Sequence, residues 1–359
     1  MKKRDNMKKL KILYHLPSTE TIYANRTIYN GYKNAFQDLG HKFLTLTSND
    51  DLKEILKKEK PDIFITSSHD YYLKFLDLDL IKEYRSNGMV MFTKIDFWNS
   101  PLSRFRINEA KSLSKEKEKV RMIKNGLLGD IFFHAVEQDD ERIKGFEEET
   151  GKKFETILLA ADKLIMHHEY APNFESDIAY IGTNLPEKRR AFKEWLFPLG
   201  KKYKLKVYGQ DWTLKDKILG MIQKFGQYYN IQFLKKLQKP KLALGDERKI
   251  YSSSKICVNI HEEYQRKYGD MNERFFKIMA CKGFQITDYV PSMSRYFRPD
   301  EVIWVKSRGE WFEKIDYYMN HPEKKKKIIE KGYKKVMKFH TYHNRAMQII
   351  GLYKKFKGK

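Results

Sequence analysis

The sequence predicts an α/β protein made of two tandem Rossmann-like domains, and three observations carry that reading. Short β-branched or aromatic runs with no polar face alternate with longer stretches that read as helices, the pattern of parallel strands covered on both sides. This series runs through the first 160 residues and restarts after a polar, proline-bearing segment at 165–176. At 359 residues the chain has room for two domains of ordinary size.

In the first series, KILYHL (Lys11 to Leu16) is a buried strand. A helix around Asn25 to Leu39 follows and ends at Gly40, where a left-handed cap is easy. HKFLTLT from His41 is the second strand; after a short helix comes PDIFITSS from Pro61, with its proline at a strand start. A helix from about Tyr71 to Ser86 stops near Gly88, and MVMFTKID from Met89 follows. A long charged helix from about Leu102 leads to GDIFFHAV from Gly129. No GxGxxG follows the first strand, which removes the main support for a nicotinamide or flavin site.

The second series opens with DIAYIG (Asp177 to Gly182), a strand entering a glycine turn. PEKRRAFKEWLFPL comes next, with Pro186 near a helix start, and then the strand LKVYG (Leu205 to Gly209). The stretch from Asp211 to Lys241 shows no legible element. KICVNI from Lys255, a helix from about Asn272 to Cys281, FQITD from Phe284 and EVIWV from Glu301 continue the series. Three helices close the chain, the second interrupted at Gly332. The expected division is an N-terminal domain over 1–168, a second domain over 177–338 and a basic C-terminal helix over 339–359. Tandem domains of this class bind ligands in a cleft at the carboxyl ends of their strands.

A composition of 41% hydrophobic and 14% aromatic residues supplies a large core and excludes a disordered chain. Two cysteines, Cys257 and Cys281, make no disulfide framework, and no CxxC pair points to structural zinc. No apolar run approaches the roughly 20 residues of a membrane span. The opening MKKRDNMKKLKILYHL is basic and then apolar, but its apolar part is too short for a signal peptide. The expectation is a soluble cytoplasmic protein, with room for peripheral contact at the inner membrane face.

The charge narrows the partners. The net charge is +24, and Lys324 to Lys359 holds thirteen Lys/Arg against one acid, Glu330. Such a field attracts an anionic membrane surface or nucleic acid through the Lys-rich C-terminal segment, or is the solvated face of Lys-rich helices. Dispersed lysines, without clustered arginines and stacking aromatics, argue against sequence-specific nucleic-acid readout.

The most informative segment runs from Tyr251 to Asp288. A strand leads through a polar loop, His261 to Met271, into a helix that starts with Asn272, Glu273 and Arg274. Free N–H groups at a helix start, with a nearby arginine, suit a phosphate group, and Lys255, Arg266 and Lys267 add positive charge. No His/Asp/Glu spacing forms a metal site.

Three runs then occur in order: RFFKIMACKGFQITD (Arg274 to Asp288), YYMNHPEKKKKIIEKG (Tyr317 to Gly332) and HTYHNR (His340 to Arg345). Together they resemble the donor-binding half of bacterial GT-B glycosyltransferases, in the spore-maturation-protein-like (CgeB-like) branch. KILYH and NAFQDLGHKF (Asn34 to Phe43) look like that family's opening. The resemblance implies sugar transfer from a nucleotide-sugar donor, a UDP-sugar first among them, with neither metal nor cofactor. It implies that Arg274, Lys255 and the backbone at Gly182–Thr183 face the donor diphosphate, with His261 and Asn272 alongside. Tyr208, Gly209 and Trp212 would border the base. Many retaining members grip the donor with a helix glutamate paired to an earlier one through seven residues. Here those positions hold Lys277 and Gly269, and lysine accepts no hydrogen bond from a ribose hydroxyl but meets phosphate.

The acceptor proton calls for a base at a strand end of the first domain. Asp96, His69 and Asp70 are placed for it, and His15 ends the first strand. The expected acceptor is a surface polymer, a coat protein or a lipid-linked glycan. Two other readings stay open: a glycosyltransferase that modifies DNA, and a non-catalytic sugar- or polyanion-binding protein of the same fold.

Overall fold

The computed structural model describes residues 8–19, 24–95, 109–140, 143 and 145–358, with backbone alone at 109–116. The chain divides into two units. Met1–Thr19, Tyr32–Ile157 and Ala346–Lys359 form the first, and Glu20–Gly31 with Leu158–Arg345 form the second. The chain thus passes between units earlier than the 165–176 segment, and the body of the last helix counts with the first unit.

The first unit carries β1 (Lys11–His15), β2 (Lys42–Leu46), β3 (Ile63–Ser67), β4 (Val90–Lys94), β5 (Ile131–His134) and β6 (Phe154–Thr156). They form one sheet in the order β2-β1-β3-β4-β5-β6, each pair parallel. The edge strand β6 is three residues, FET, too short to show a hydrophobic period in sequence. Between the strands run α1 (Ala24–Asp38), α2 (Leu52–Glu59), α3 (Asp70–Leu73), α4 (Leu78–Ser86), α5 (Glu109–Lys124) and α6 (Phe146–Thr150). The single helix expected over 71–86 is two helices. Asp77 takes extended backbone and its carboxylate accepts from Leu80 N at 3.0 Å, starting α4 afresh. After α1 the chain turns at Gly40 with φ +87°, as a left-handed glycine position requires. Leu13, Phe64 and Met91 pack with Leu56 and Ile81 in one core cluster, and Phe132, Ile123, Phe146 and Phe154 share another.

The second unit holds β7 (Ser176–Ile181), β8 (Leu205–Tyr208), β9 (Ser254–Asn259), β10 (Gln285–Asp288) and β11 (Ile303–Val305). Their order is β11-β10-β9-β7-β8, again all parallel. Alternate residues of a strand point to opposite faces, and here both faces are covered. Ile178 and Tyr180 of β7 join Ile256 and Val258 of β9 in one cluster, while Ala179, Ile181 and Cys257 join the other. Two Rossmann-like units therefore stand as the sequence predicts.

Residues 186–201 are an irregular helical stretch around the single turn α7 (Arg189–Ala191). The remaining helices are α8 (Leu214–Tyr228), α9 (Asp246–Ser253), α10 (Glu263–Tyr268), α11 (Glu273–Ala280), α12 (Met293–Tyr296), α13 (Arg308–Asn320), α14 (Pro322–Phe339) and α15 (Tyr342–Lys357). Gly332 does not interrupt α14, which runs through it unbroken. A Cβ there would collide with the Glu301 carbonyl, so this glycine lets the helix approach a loop closely.

The HTYHNR run is a clasp inside the second unit. Thr341 bridges Ala161, and Arg345 donates to the carbonyls of Leu158 at 2.8 Å and Leu159 at 3.3 Å. His340 stacks on Phe297 and Phe276 with centroids 4.9 and 5.4 Å apart. Burial, then the nearby Arg345 and Lys335, lowers its pKa to about 3.

Candidate functional site

At the carboxyl ends of β7, β8 and β9 the backbone forms a tight cradle. Gly182 N donates to the Tyr208 carbonyl at 2.9 Å, and the Gly182 carbonyl accepts from Trp212 Nε1 at 2.9 Å. Gly209 has φ +121°, and a Cβ there would run into the Gly182 backbone. That position therefore admits glycine alone. A Cβ on Gly182 itself would stand 2.6 Å from Arg274 Nη2, so the arginine lies directly on this turn.

Arg274 sits in the first turn of α11, whose N-cap is Asn272; the Asn272 Oδ1 accepts from Phe275 N at 3.1 Å. Its guanidinium lies 4.8 Å from the Tyr180 ring centroid, and Nη1 donates to Asn259 Oδ1 at 2.7 Å. Asn272 Nδ2 donates to the same oxygen at 3.1 Å. Two donors fix the Asn259 amide, and its Nδ2 is left buried with no hydrogen-bond partner.

His261 follows β9 and is fully buried. Its backbone N–H meets both Asp288 oxygens at 3.0 Å, and Nδ1 lies 2.7 Å from Asp288 Oδ1. A carboxylate there holds the proton on Nδ1 and leaves Nε2 as an acceptor. Burial lowers the imidazole pKa against the pull of Asp288, so the ring is neutral at pH 7. Nε2, like Asn259 Nδ2, has no hydrogen-bond partner among the described residues. Each buried polar atom left so costs about 1–3 kcal/mol, and a polar ligand would recover it.

The structure thus gathers Gly182, Gly209, Trp212, Asn272, Arg274 and His261, with Thr183 one residue beyond the turn and Tyr208 bonded to it through its carbonyl. Trp212 packs on Phe192 and Tyr180, with centroids 5.0 and 6.2 Å away, so it braces the turn as well as flanking it. Tyr208 is half-buried against Phe174, and burial raises its pKa.

Two expected donor contacts are corrected. Lys255 lies at the amino end of β9 and pairs with Asp177 at 2.7 Å. It is four residues, about 13 Å of strand, from Asn259. Lys277 does not present its charge to the cradle. It is buried, with Nζ 2.5 Å from Glu247 Oε2 and 3.7 Å from Glu273 Oε2. Glu273 also accepts from Tyr342 Oη at 2.7 Å and from Thr27 Oγ1. Burial pushes the Lys277 pKa down, but Glu247 and Glu273 outweigh it and the net shift is upward. Burial raises the Glu273 pKa, with Lys277 opposing.

In the first unit, His15 is buried, with Nδ1 2.9 Å from Thr66 Oγ1 and the ring edge-on to Tyr72 at 5.5 Å. Burial lowers its pKa to about 3, which makes it a weak base at neutral pH. His69 caps α3, its Nδ1 accepting from Tyr71 N at 3.1 Å. Asp70 is half-exposed and lies 3.5 Å from Lys119 Nζ. Asp96 lies outside the described residues. Sequence reasoning passed over Asn259 and Glu247. The signal for Asn259 was a lone polar residue closing the apolar run ICVN; Glu247 carried none.

Comparison with known proteins bears on the fold and on the sequence of the second half of the chain. Residues 188–351 match the family of glycosyl transferase-like proteins. The spore protein CgeB of Bacillus subtilis (strain 168) is 24% identical over 181 residues, covering 47% of this chain and 51% of that protein. The match therefore spans about half the length of that curated relative. Sucrose-phosphate synthase from Thermosynechococcus elongatus superposes with a TM-score of 0.65 at 11% identity, covering 98% of this chain and all of that one. Anabaena Alr3699/HepE, solved with UDP and glucose, gives 0.62 at 9% identity over 96% of this chain and all of its own. An alpha-glucosyltransferase solved with UDP and a 13-mer DNA containing a HMU base gives 0.62 at 12% identity over 97% of this chain and all of its own. The chain has the GT-B fold of glycosyltransferases, and its second unit carries the sequence pattern of the glycosyl transferase-like family.

Proposed function

We propose that this protein is a glycosyltransferase that holds a nucleoside-diphosphate sugar on the second unit, at the carboxyl ends of β7, β8 and β9. The observation that carries the reading is the Arg274 guanidinium on the Gly182 turn beside two buried polar atoms without partners, Asn259 Nδ2 and His261 Nε2. In the transfer, the bond from the sugar C1 to the β-phosphate oxygen breaks and a bond to the acceptor oxygen forms. The departing diphosphate gains charge, which Arg274, the first N–H groups of α11 and the Gly182–Thr183 backbone would stabilise. His261 Nε2, an acceptor, suits a sugar hydroxyl rather than phosphate. Tyr208, Gly209 and Trp212 would lie beside the base.

Uridine is the first nucleoside to test, because solved relatives of the same fold were captured with UDP. The acceptor would be a surface polymer, a coat protein or a lipid-linked glycan; of the first unit's candidate bases, His15 is set aside by its burial. The testing experiment is titration calorimetry of the full chain with UDP, GDP, ADP, CDP and dTDP. One of them is expected to bind, and Arg274→Ala is expected to weaken it about 10- to 150-fold, since a charged hydrogen bond contributes about 1.5–3 kcal/mol. If none of the five binds, the donor-site assignment falls.

A further inference from the structure

Helix α8 is built inside out. The residues it buries are Asp216, Gly220, Gln223 and Gly226, polar or small. Gln223 Oε1 accepts from Gln238 N at 2.6 Å, Asp216 lies 3.4 Å from Lys241 Nζ, and Gly226 admits Leu234 against the helix. Its apolar residues face outward. Leu214, Ile218, Met221, Ile222, Phe225 and Tyr229 are exposed, Leu214 by 74% and Met221 by 63%. At about 100° per residue they share an arc of about 100°, with Lys215 at one border and Lys217 and Lys224 at the other. Past the helix, Phe233 is 75% exposed. Between residues 214 and 241 there are seven lysines and one acid, and that acid is the buried Asp216.

We propose that this face of α8 lies in the interfacial layer of a membrane that carries anionic lipid. An apolar stripe edged by lysines on both borders is the arrangement of an in-plane amphipathic helix, the stripe reaching the acyl boundary and the cations meeting phosphate headgroups. A contiguous apolar surface of this kind is rare on a protein that meets only water. A second copy of the chain is a poor occupant, because a two-fold contact would set the exposed lysines of this segment against their own copies, its one acid, Asp216, being buried. Protein interfaces in general are depleted of lysine. Nucleic acid would answer the lysines and leave the stripe wet. The inference stands apart from the donor site and does not rest on it.

The test is sedimentation of the full chain with phosphatidylcholine vesicles, with and without phosphatidylglycerol, at low and high salt. The protein is expected to pellet with the anionic vesicles, less so in high salt. Met221→Glu with Phe225→Glu is expected to lower binding by about tenfold or more. Both side chains are exposed, so the thermal melt should not change, and the melt distinguishes lost binding from lost fold. Three results would each overturn the proposal: no pelleting with anionic vesicles, undiminished binding by the double variant, or a wild-type dimer that the double variant turns into a monomer.

Discussion

Replacing Lys277 with methionine would show what the buried ion cluster contributes. The variant keeps the length of the side chain and removes its charge, leaving Glu247 and Glu273 buried without their cation. Removing one partner of a buried pair costs about 3–5 kcal/mol. For a unit of roughly 200 residues each kcal/mol moves the melting temperature by about 2–4 °C, so a drop of about 6–20 °C is expected. The pH dependence has a definite sign. In the wild type the Lys277 pKa is raised, so its contribution is intact through the neutral range and fades only as pH climbs past about 10.5 and through the raised value. In the variant Glu273, already raised by burial, loses the opposing cation and rises further. A raised carboxyl favours the fold when protonated, so the deficit is smallest near pH 4.5 and grows as pH rises through the shifted value. Scanning calorimetry of both chains at pH 5 and pH 8 measures it. A variant that melts within about 2 °C of wild type at both values, or whose deficit is larger at pH 5, would falsify the reasoning.

Two further outcomes follow from the geometry. Gly182→Ala places a methyl 2.6 Å from Arg274 Nη2 and 2.7 Å from Oη of the fully buried Tyr180, whereas Gly209→Ala meets the Gly182 backbone at a φ of +121°. The first is expected to lower the melt less than the second, since side chains rather than backbone must give way, while weakening diphosphate binding about tenfold; the second is expected to destabilise the fold by about 1–3 kcal/mol. Equal melts for the two variants would remove the distinction. His15, with its pKa lowered to about 3, should stay neutral from pH 8 down to pH 5, so its imidazole carbon resonance should not move. A titration near pH 6.5 would return it to the candidate bases.

The strands were legible because their code is local. KILYH, IFITS and KICVN are apolar on both faces, and a parallel sheet between helices is the arrangement that satisfies them. The segment from Asp211 to Lys241 resisted reading for the opposite reason. Helix α8 turns its apolar side to the surface and hydrogen-bonds its inner side, so the rule that places the periodic face in the core points the wrong way. Arg274 was legible from its place at a helix start. The real environment of Lys277 was not, because Glu247 lies thirty residues earlier on another helix and only folding joins them. Lys255 was misplaced because a cation near a loop in sequence can still sit at the far end of a strand.

The position of Lys277 also bears on how far this chain departs from the CgeB-like pattern, which has a glutamate there. A lysine alone would add a second positive charge one helical turn from Arg274 and leave no acceptor in the neighbourhood. The lysine is not alone. With Glu247 and Glu273 it forms a group of two carboxyls and one ammonium, and the Arg26 guanidinium acts on Glu247 as well. Arg274 keeps its own contacts to Asn259 and Tyr180. The phosphate end of the proposed donor site would depend on Arg274 and the glycine backbone. At the proposed sugar end this chain would differ from the glutamate pattern, with His261 Nε2 a buried acceptor there.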